Sequence, residues 1–176
     1  VMKANGYATF GIAGTGHVNA QSGLAQGFDN FTGLWFPACE VVHDAALGFK
    51  KDLNSGKPFF LWIHYFPPHA PYYARKPWIE QYARHPELVP EFKRQSVEWL
   101  ESQMPRIRAS REIQETIIDL YDAEINFVDT FVERLFKEVL PAGNTLVIVT
   151  SDHGEALFER GELGHAQSLY EEELKI

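Results

Sequence analysis

Apolar and polar positions along the 176 residues fall into short apolar runs separated by glycine- and proline-rich breaks, plus one long stretch of helical periodicity. Met2-Lys3-Ala4-Asn5 followed by Gly6 reads as the last turn of a helix closed by a glycine. Tyr7 to Ile12 is aromatic and β-branched, bounded by Gly14 and Gly16, which predicts a short strand running into a loop. Residues 14 to 33 hold five of the thirteen glycines, and this composition predicts loop rather than regular structure. Val41 to Leu53 alternates apolar and charged positions at helical spacing until Asn54-Ser55-Gly56 stops it. Phe59-Phe60-Leu61-Trp62-Ile63 is a near-continuous apolar run of strand length, as expected of a parallel strand covered on both faces. It ends at Pro67-Pro68-His69-Ala70-Pro71, which cannot continue a ladder.

Ile113, Ile117, Tyr121, Ile125, Val128, Val132, Leu135 and Val139 advance by fours and threes and predict one long helix with a continuous apolar face. Pro141 and Gly143 end it, and Thr145 to Val149 reads as a further apolar strand with Asp152-His153-Gly154 at its carboxyl end. Between the second strand and the long helix, residues 72 to 110 read as an insertion with short helices, contributing to a substrate cleft. The order strand, helix, strand, insertion, helix, strand predicts an α/β fold, a mostly parallel sheet flanked by helices. Ligands in such sheets bind outside the carboxyl ends of strands, where the clusters around His69 and Asp152 are expected.

Composition narrows the function classes. A net charge of −8 argues against nucleic acid as a partner, because phosphate neutralisation needs clustered Lys and Arg. No run approaches the roughly 20 apolar residues of a membrane span. The single cysteine, Cys39, rules out an intrachain disulfide framework. No base or cation adjoins it in sequence, so it reads as a small buried thiol rather than a nucleophile.

The candidate chemistry lies in histidines and one Asp-His pair. Asp152 offers a hard carboxylate and His153 a neutral imidazole, both ordinary ligands of a divalent cation. The alternative is an Asp N-cap beside a partly exposed histidine. His165, in the small-residue segment Leu163-Gly164-His165-Ala166, reads as a donor or general acid, or as a surface-loop histidine. His69 is aimed by its neighbouring prolines, or is a turn histidine without a role. His17 sits in a glycine-rich loop after the first strand. His64 reads as a core residue, His43 and His85 as surface residues. Together these groups suit an oxyanion ester and a metal-assisted hydrolase or transferase.

Six segments in order resemble the sulfatase family of the alkaline phosphatase superfamily: Asn5-Gly6-Tyr7-Ala8-Thr9-Phe10; Gln26-Gly27-Phe28-Asp29-Asn30-Phe31; Pro58-Phe59-Phe60-Leu61 through Pro68-His69-Ala70-Pro71; Asp119 to Ile125 with Val128-Asp129; Asn144 to Glu155; and Gly164-His165 to Glu172. The resemblance implies that residues 1 to 176 are the central part of one sulfatase catalytic domain. It implies that Asp152 and His153 contact one divalent metal, calcium first, with Mn2+, Mg2+ or Zn2+ as alternatives. His69 matches a histidine that contacts the sulfate or leaving oxygen, and His165 the place of a lysine or histidine near the leaving group. His17 falls near a family histidine, although Ala13-Gly14-Thr15-Gly16-His17 lacks the lysine of that motif. The nucleophile motif, Cys or Ser followed by x-Pro-x-Arg, is expected before Val1 together with formylglycine, so the chain is expected to be an interior fragment, inactive alone. The implied substrate is a small-molecule or glycan sulfate ester, in a periplasmic, secreted or lysosome-like protein. Asp-His-Gly, where many sulfatases carry asparagine, leaves open a phosphate or phosphonate monoester hydrolase, a phosphoethanolamine-type transferase, or a non-catalytic anion-binding relative.

Overall fold

The computed structural model of the chain describes residues 1–92 and 96–176. A 3₁₀ turn at Lys3–Asn5 is closed by Gly6 in the left-handed region (φ 83°), its N–H on the Lys3 carbonyl. This is the glycine closure expected from the sequence, at the end of a single short turn.

Three parallel strands follow the α/β expectation: β1 (Ala8–Ala13), β2 (Asn30–Gly33) and β3 (Phe59–His64), in the order β2-β1-β3. Ala8 pairs with Phe59 and Ala13 with His64, while Phe10 pairs with Asn30 and Ala13 with Gly33. β2 lies inside the stretch read as loop. Its residues Asn30-Phe31-Thr32 are aromatic and β-branched enough for a short strand, and the density of preceding glycines hides them. The pairing of β1 with β2 is fixed at its start by side chains. Thr9 donates its backbone N–H and its hydroxyl to Asp29 Oδ2, both at 3.0 Å, and the Asp29 N–H reaches Thr9 Oγ1 at 2.9 Å. Lys3 first, then Thr9, hold the Asp29 carboxyl below its ordinary range.

β3 is half-buried at every position, so the cover expected on both of its faces is incomplete. His64 is half-buried on it and stacks with Trp62 at 6.1 Å. The helix expected at 41–53 begins two residues earlier and divides at Phe49 into α1 (Cys39–Gly48) and α2 (Lys50–Leu53). Phe10 and Ile12 of β1, Val42 and Ala46 of α1, Leu53 and Val139 form one core. Cys39 is fully buried, as its setting predicts.

Further along are α3 (Ile79–Tyr82), α4 (Val97–Ala109) and the 24-residue α5 (Arg111–Arg134), which runs on into a π turn at Leu135–Val139. The region read as an insertion, 72–110, thus carries one short and one 13-residue helix, and its positions 93–95 lie outside the described residues. A two-stranded antiparallel ladder, β4 (Ala156–Leu157) with β5 (Leu163–Gly164), and a one-turn helix α6 (Glu171–Leu174) complete the chain.

The chain divides into two units, Val1–Pro67 with Val128–Thr145, and Pro68–Phe127 with Leu146–Ile176. The core of the second joins Tyr72, Ile79, Phe92, Leu100, Ile107, Ile113, Ile117, Leu120 and Ala123. Two buried carboxylates of α5 hold residues 73–84 against it. Glu124 accepts the Tyr73 N–H at 3.0 Å and Arg75 Nε at 2.9 Å, and Asp119 accepts the Arg84 N–H at 2.7 Å and its Nε at 2.8 Å. Burial of a charge is tolerable because it is paired and hydrogen-bonded.

Four sequence expectations are corrected. Thr145–Val149 joins no ladder among the described residues; Leu146, Ile148 and Val149 are 87%, 78% and 74% exposed. Asp152 is therefore not carried on a strand end. An apolar run reports a demand for cover, not which neighbour supplies it. His43 is fully buried, its Nε2 2.9 Å from Glu138, and His85 is half-buried, 3.0 Å from Glu115; neither is a surface residue. Finally, the α5 core face is Ile113, Ile117, Leu120, Ala123, Phe127 and Phe131, with Ile125 44% exposed. Successive four-residue steps each overshoot a full turn by about 40°, so 113-117-121-125 winds off the buried stripe. Among the described residues, no helix is long and apolar enough to cross a membrane.

Two outcomes follow from this packing. Ile117→Ala is expected to cost about 2–5 kcal/mol and Ile125→Ala under about 0.5 kcal/mol in chemical denaturation; equal losses would contradict the assigned face. Arg134 first, then His43, lower the Glu138 carboxyl from 4.5 to about 2. A carboxylate with a depressed folded pKa stabilises fully above pH 4.5, and its contribution fades as pH falls towards 2. Glu138→Gln should flatten acid melting curves in that window and leave their neutral-pH slope unchanged.

Candidate active site

All parts of the imidazole cluster described next belong to the second unit. Residues Phe158 to Glu162 turn β4 back onto β5, with the Phe158 N–H on the Glu162 carbonyl (2.9 Å) and the Gly161 N–H on the Phe158 carbonyl (3.0 Å). Ala156 pairs with Gly164 in that ladder. The next position outward on each strand is Glu155 on one side and His165 on the other, so the hairpin sets this pair face to face. His165 Nδ1 lies 3.2 and 3.3 Å from the two Glu155 carboxylate oxygens.

His165 is the centre of the cluster. Its ring lies 4.1 Å from that of His153, tilted by 36°, and 5.0 Å from that of His69 in an edge-on contact. The Nδ1 atoms are engaged in the same way on all three. His69 Nδ1 is 2.7 Å from the Ala70 carbonyl, His153 Nδ1 is 2.7 Å from the Gly154 carbonyl, and His165 Nδ1 faces Glu155. An oxygen that can only accept assigns the proton to Nδ1 in the neutral ring, which places the lone pair on Nε2. Such an Nε2 is a metal ligand or proton acceptor, and becomes a donor to an anionic oxygen once the ring is charged.

Asp152 Oδ1 lies 3.8 Å from His153 Nε2, with the aspartate side chain 75% exposed. That separation is compatible with ordinary ligand distances of roughly 2.0–2.5 Å, so Asp152 and His153 are the residues that would hold a divalent cation. Among the described residues, no group of three or more His, Cys, Asp or Glu side chains is arranged to hold a metal ion.

α6 holds both sides of the hairpin mouth. The Glu173 carbonyl takes the Gly154 N–H at 2.8 Å. The Glu173 carboxylate, in a residue only 5% exposed, takes the N–H groups of Gln167 and Ser168 and the Ser168 hydroxyl. These bonds, the hydroxyl first, keep Glu173 below its ordinary carboxylate range. Ala166, with φ 64°, turns the chain between His165 and that clamp. A Cβ on Gly154 would sit 2.1 Å from the Glu172 carbonyl oxygen and 3.0 Å from that of Lys175. The missing side chain lets the backbone at residue 154 approach α6.

His69, His153 and His165 thus come together, with Asp152 beside His153. His17 belongs to the first unit. It is exposed in the loop after β1, edge-on to Phe36 at 5.9 Å. Glu155, Glu173 and Tyr72 are absent from the sequence-derived candidates. The usable signal for Glu155 was its ten-residue spacing from His165 around the Gly161 turn; for Tyr72, fully buried before α3, there was none.

The family model described as "Sulfatase" matches residues 1–176. The chain belongs to the sulfatase family. Iduronate 2-sulfatase of Mus musculus is 27% identical over 148 residues, covering 72% of this chain and 27% of its own length. The Homo sapiens iduronate 2-sulfatase is 31% identical over 135 residues, 64% of this chain and 24% of its own. Choline-sulfatase of Rhizobium meliloti (strain 1021) is 28% identical over 124 residues, again 64% and 24%. The sulfatase chain therefore spans about a quarter of the length of these relatives, and its parallel sheet flanked by helices is the fold of that family.

Gly154→Ala should lower stability by about 1–3 kcal/mol through overpacking against α6. Thermal melting checks this, and an unchanged midpoint would show that α6 is not seated on the Gly154 backbone.

Proposed function

We propose that the sulfatase to which these 176 residues contribute hydrolyses a sulfate monoester, with Asp152 and His153 as ligands of one divalent cation, calcium first, and His69 and His165 at the departing oxygen. The observation that carries this reading is the meeting of His69, His153 and His165 within 5.0 Å ring spacings, from three separate family-like segments. Sulfate esters are what the names of the relatives have in common, joined to unlike alcohols, iduronate and choline. The substrate class is accordingly the sulfate ester, and the alcohol is left to surrounding loops.

In this reading a bound divalent cation supplies positive charge to the ester oxygens. The Asp152 carboxylate and the His153 Nε2 hold it. His165 and His69, each anchored through Nδ1, present Nε2 to the oxygen that accumulates charge as the ester bond breaks. The nucleophile, a formylglycine formed from cysteine, lies outside the 176 residues, in which no Cys-x-Pro-x-Arg occurs.

In the full-length protein, Asp152→Ala should lower kcat for 4-nitrophenyl sulfate by roughly 100-fold or more, and chelation followed by calcium should abolish and restore turnover. Unchanged turnover in the variant would remove the metal assignment. Faster hydrolysis of 4-nitrophenyl phosphate would move the reading to a phosphoester hydrolase, the class that the histidine in Asp-His-Gly keeps in view. Absence of both activities, with retained sulfate binding, would indicate a non-catalytic anion-binding relative.

A further inference from the structure

Glu155 is a titratable group of the cluster that the proposed reaction leaves without a task. Its side chain is only 6% exposed, and it spends both carboxylate oxygens on one imidazole nitrogen. From the interior it is backed by Tyr72, a residue of zero exposure. Burial first, and then the charge of Glu155, push the Tyr72 phenol above its ordinary range, so it remains a protonated hydroxyl beside the carboxylate. A lone surface carboxylate near a histidine would be unremarkable. A carboxylate withdrawn from water and paired across a hairpin is different, because its desolvation is offset only by the groups it holds.

We propose that Glu155 is the positioning residue of His165: it fixes the Nδ1–H form and the ring angle, so that Nε2 is the atom turned to the ester. The relation is that of an outer carboxylate orienting an imidazole, which selects the working nitrogen without touching substrate. The hairpin explains why the pair is rigid. Glu155 and His165 occupy the first positions beyond a paired ladder, and Glu173 clamps residues 167–168 just after His165. Asp152 does not share this role, since its Oδ1 faces His153 Nε2. His69 and His153 use backbone carbonyls of the following residue, where His165 uses a side chain from the opposite strand of the hairpin, so its ring is held across the ladder.

The proposal rests on the sulfatase reading for its chemistry but not for its geometry, and two measurements on the full-length protein separate them. Nitrogen-15 histidine NMR should show His165 as the Nδ1–H tautomer in the native protein. It should become a mixture in Glu155→Ala, with partial recovery in Glu155→Gln, whose volume preserves the fold if the alanine variant does not. In kinetics, Glu155→Ala should lower kcat about 10–100-fold for an alkyl sulfate, by the scale of outer-shell substitutions. The loss should be several-fold smaller for 4-nitrophenyl sulfate, whose leaving group needs little assistance, with KM little changed for both. Retention of the native tautomer in both variants, or equal losses of kcat for the two esters, would overturn the positioning role. A native protein inactive on every sulfate ester would sink the sulfatase reading, while the tautomer measurement would still decide the role of Glu155.

Discussion

The cluster of imidazoles depends on one residue of a four-residue helix. Glu173 uses its main-chain carbonyl for Gly154 and its carboxylate for Gln167 and Ser168, and so ties the strand entering the hairpin to the loop leaving it. The ladder between the two points is only two residues long on each side, too short to be self-sustaining in water. A buried carboxylate saturated with N–H and O–H donors supplies what that ladder lacks. It also explains the tight seat of Gly154, because the helix carrying Glu173 can approach only a residue without a side chain.

The same device recurs on the other long element of the second unit. Asp119 and Glu124 are buried on α5, and each takes one backbone N–H and one guanidinium from the segment 73–84. Tyr72, at the start of that segment, packs edge-on to Tyr121 at 5.4 Å and stands next to Glu155. Polar anchoring of an irregular chain on a helix thereby fixes the interior wall behind the candidate catalytic histidine. Apolar burial could hold the segment equally well, but it would not specify the register of Tyr72 so narrowly.

The sheet and its direction were legible from the sequence, since the apolar runs at 7–12 and 59–63 and the glycine stop after Asn5 each carry a local physical signal. The long helix was legible as an element, and its face only in part, because a run of fours drifts on a helix of 3.6 residues per turn. His69, His153 and His165 were legible as candidates, and their meeting is visible only in the structure. Asp152 was read as sitting on a strand end, and residues 145–149 join no ladder among the described residues. Glu155 and Glu173 were hidden for a common reason. Their roles depend on which backbone amides and rings a two-residue hairpin brings round to them, and periodicity says nothing about that.

What the geometry adds to the family assignment is a difference in surroundings among three similar rings. Each engages an acceptor oxygen through Nδ1, which by itself makes three equivalent neutral ligands or acceptors. Symmetry is broken by the identity of that oxygen and by what faces Nε2. His153 has Asp152 at 3.8 Å from its Nε2. His165 has the Glu155 carboxylate behind its Nδ1, on a side chain only 6% exposed. Glu155 is thus what distinguishes His165 from the other two rings, and its place follows from the hairpin register, which sets positions 155 and 165 opposite each other.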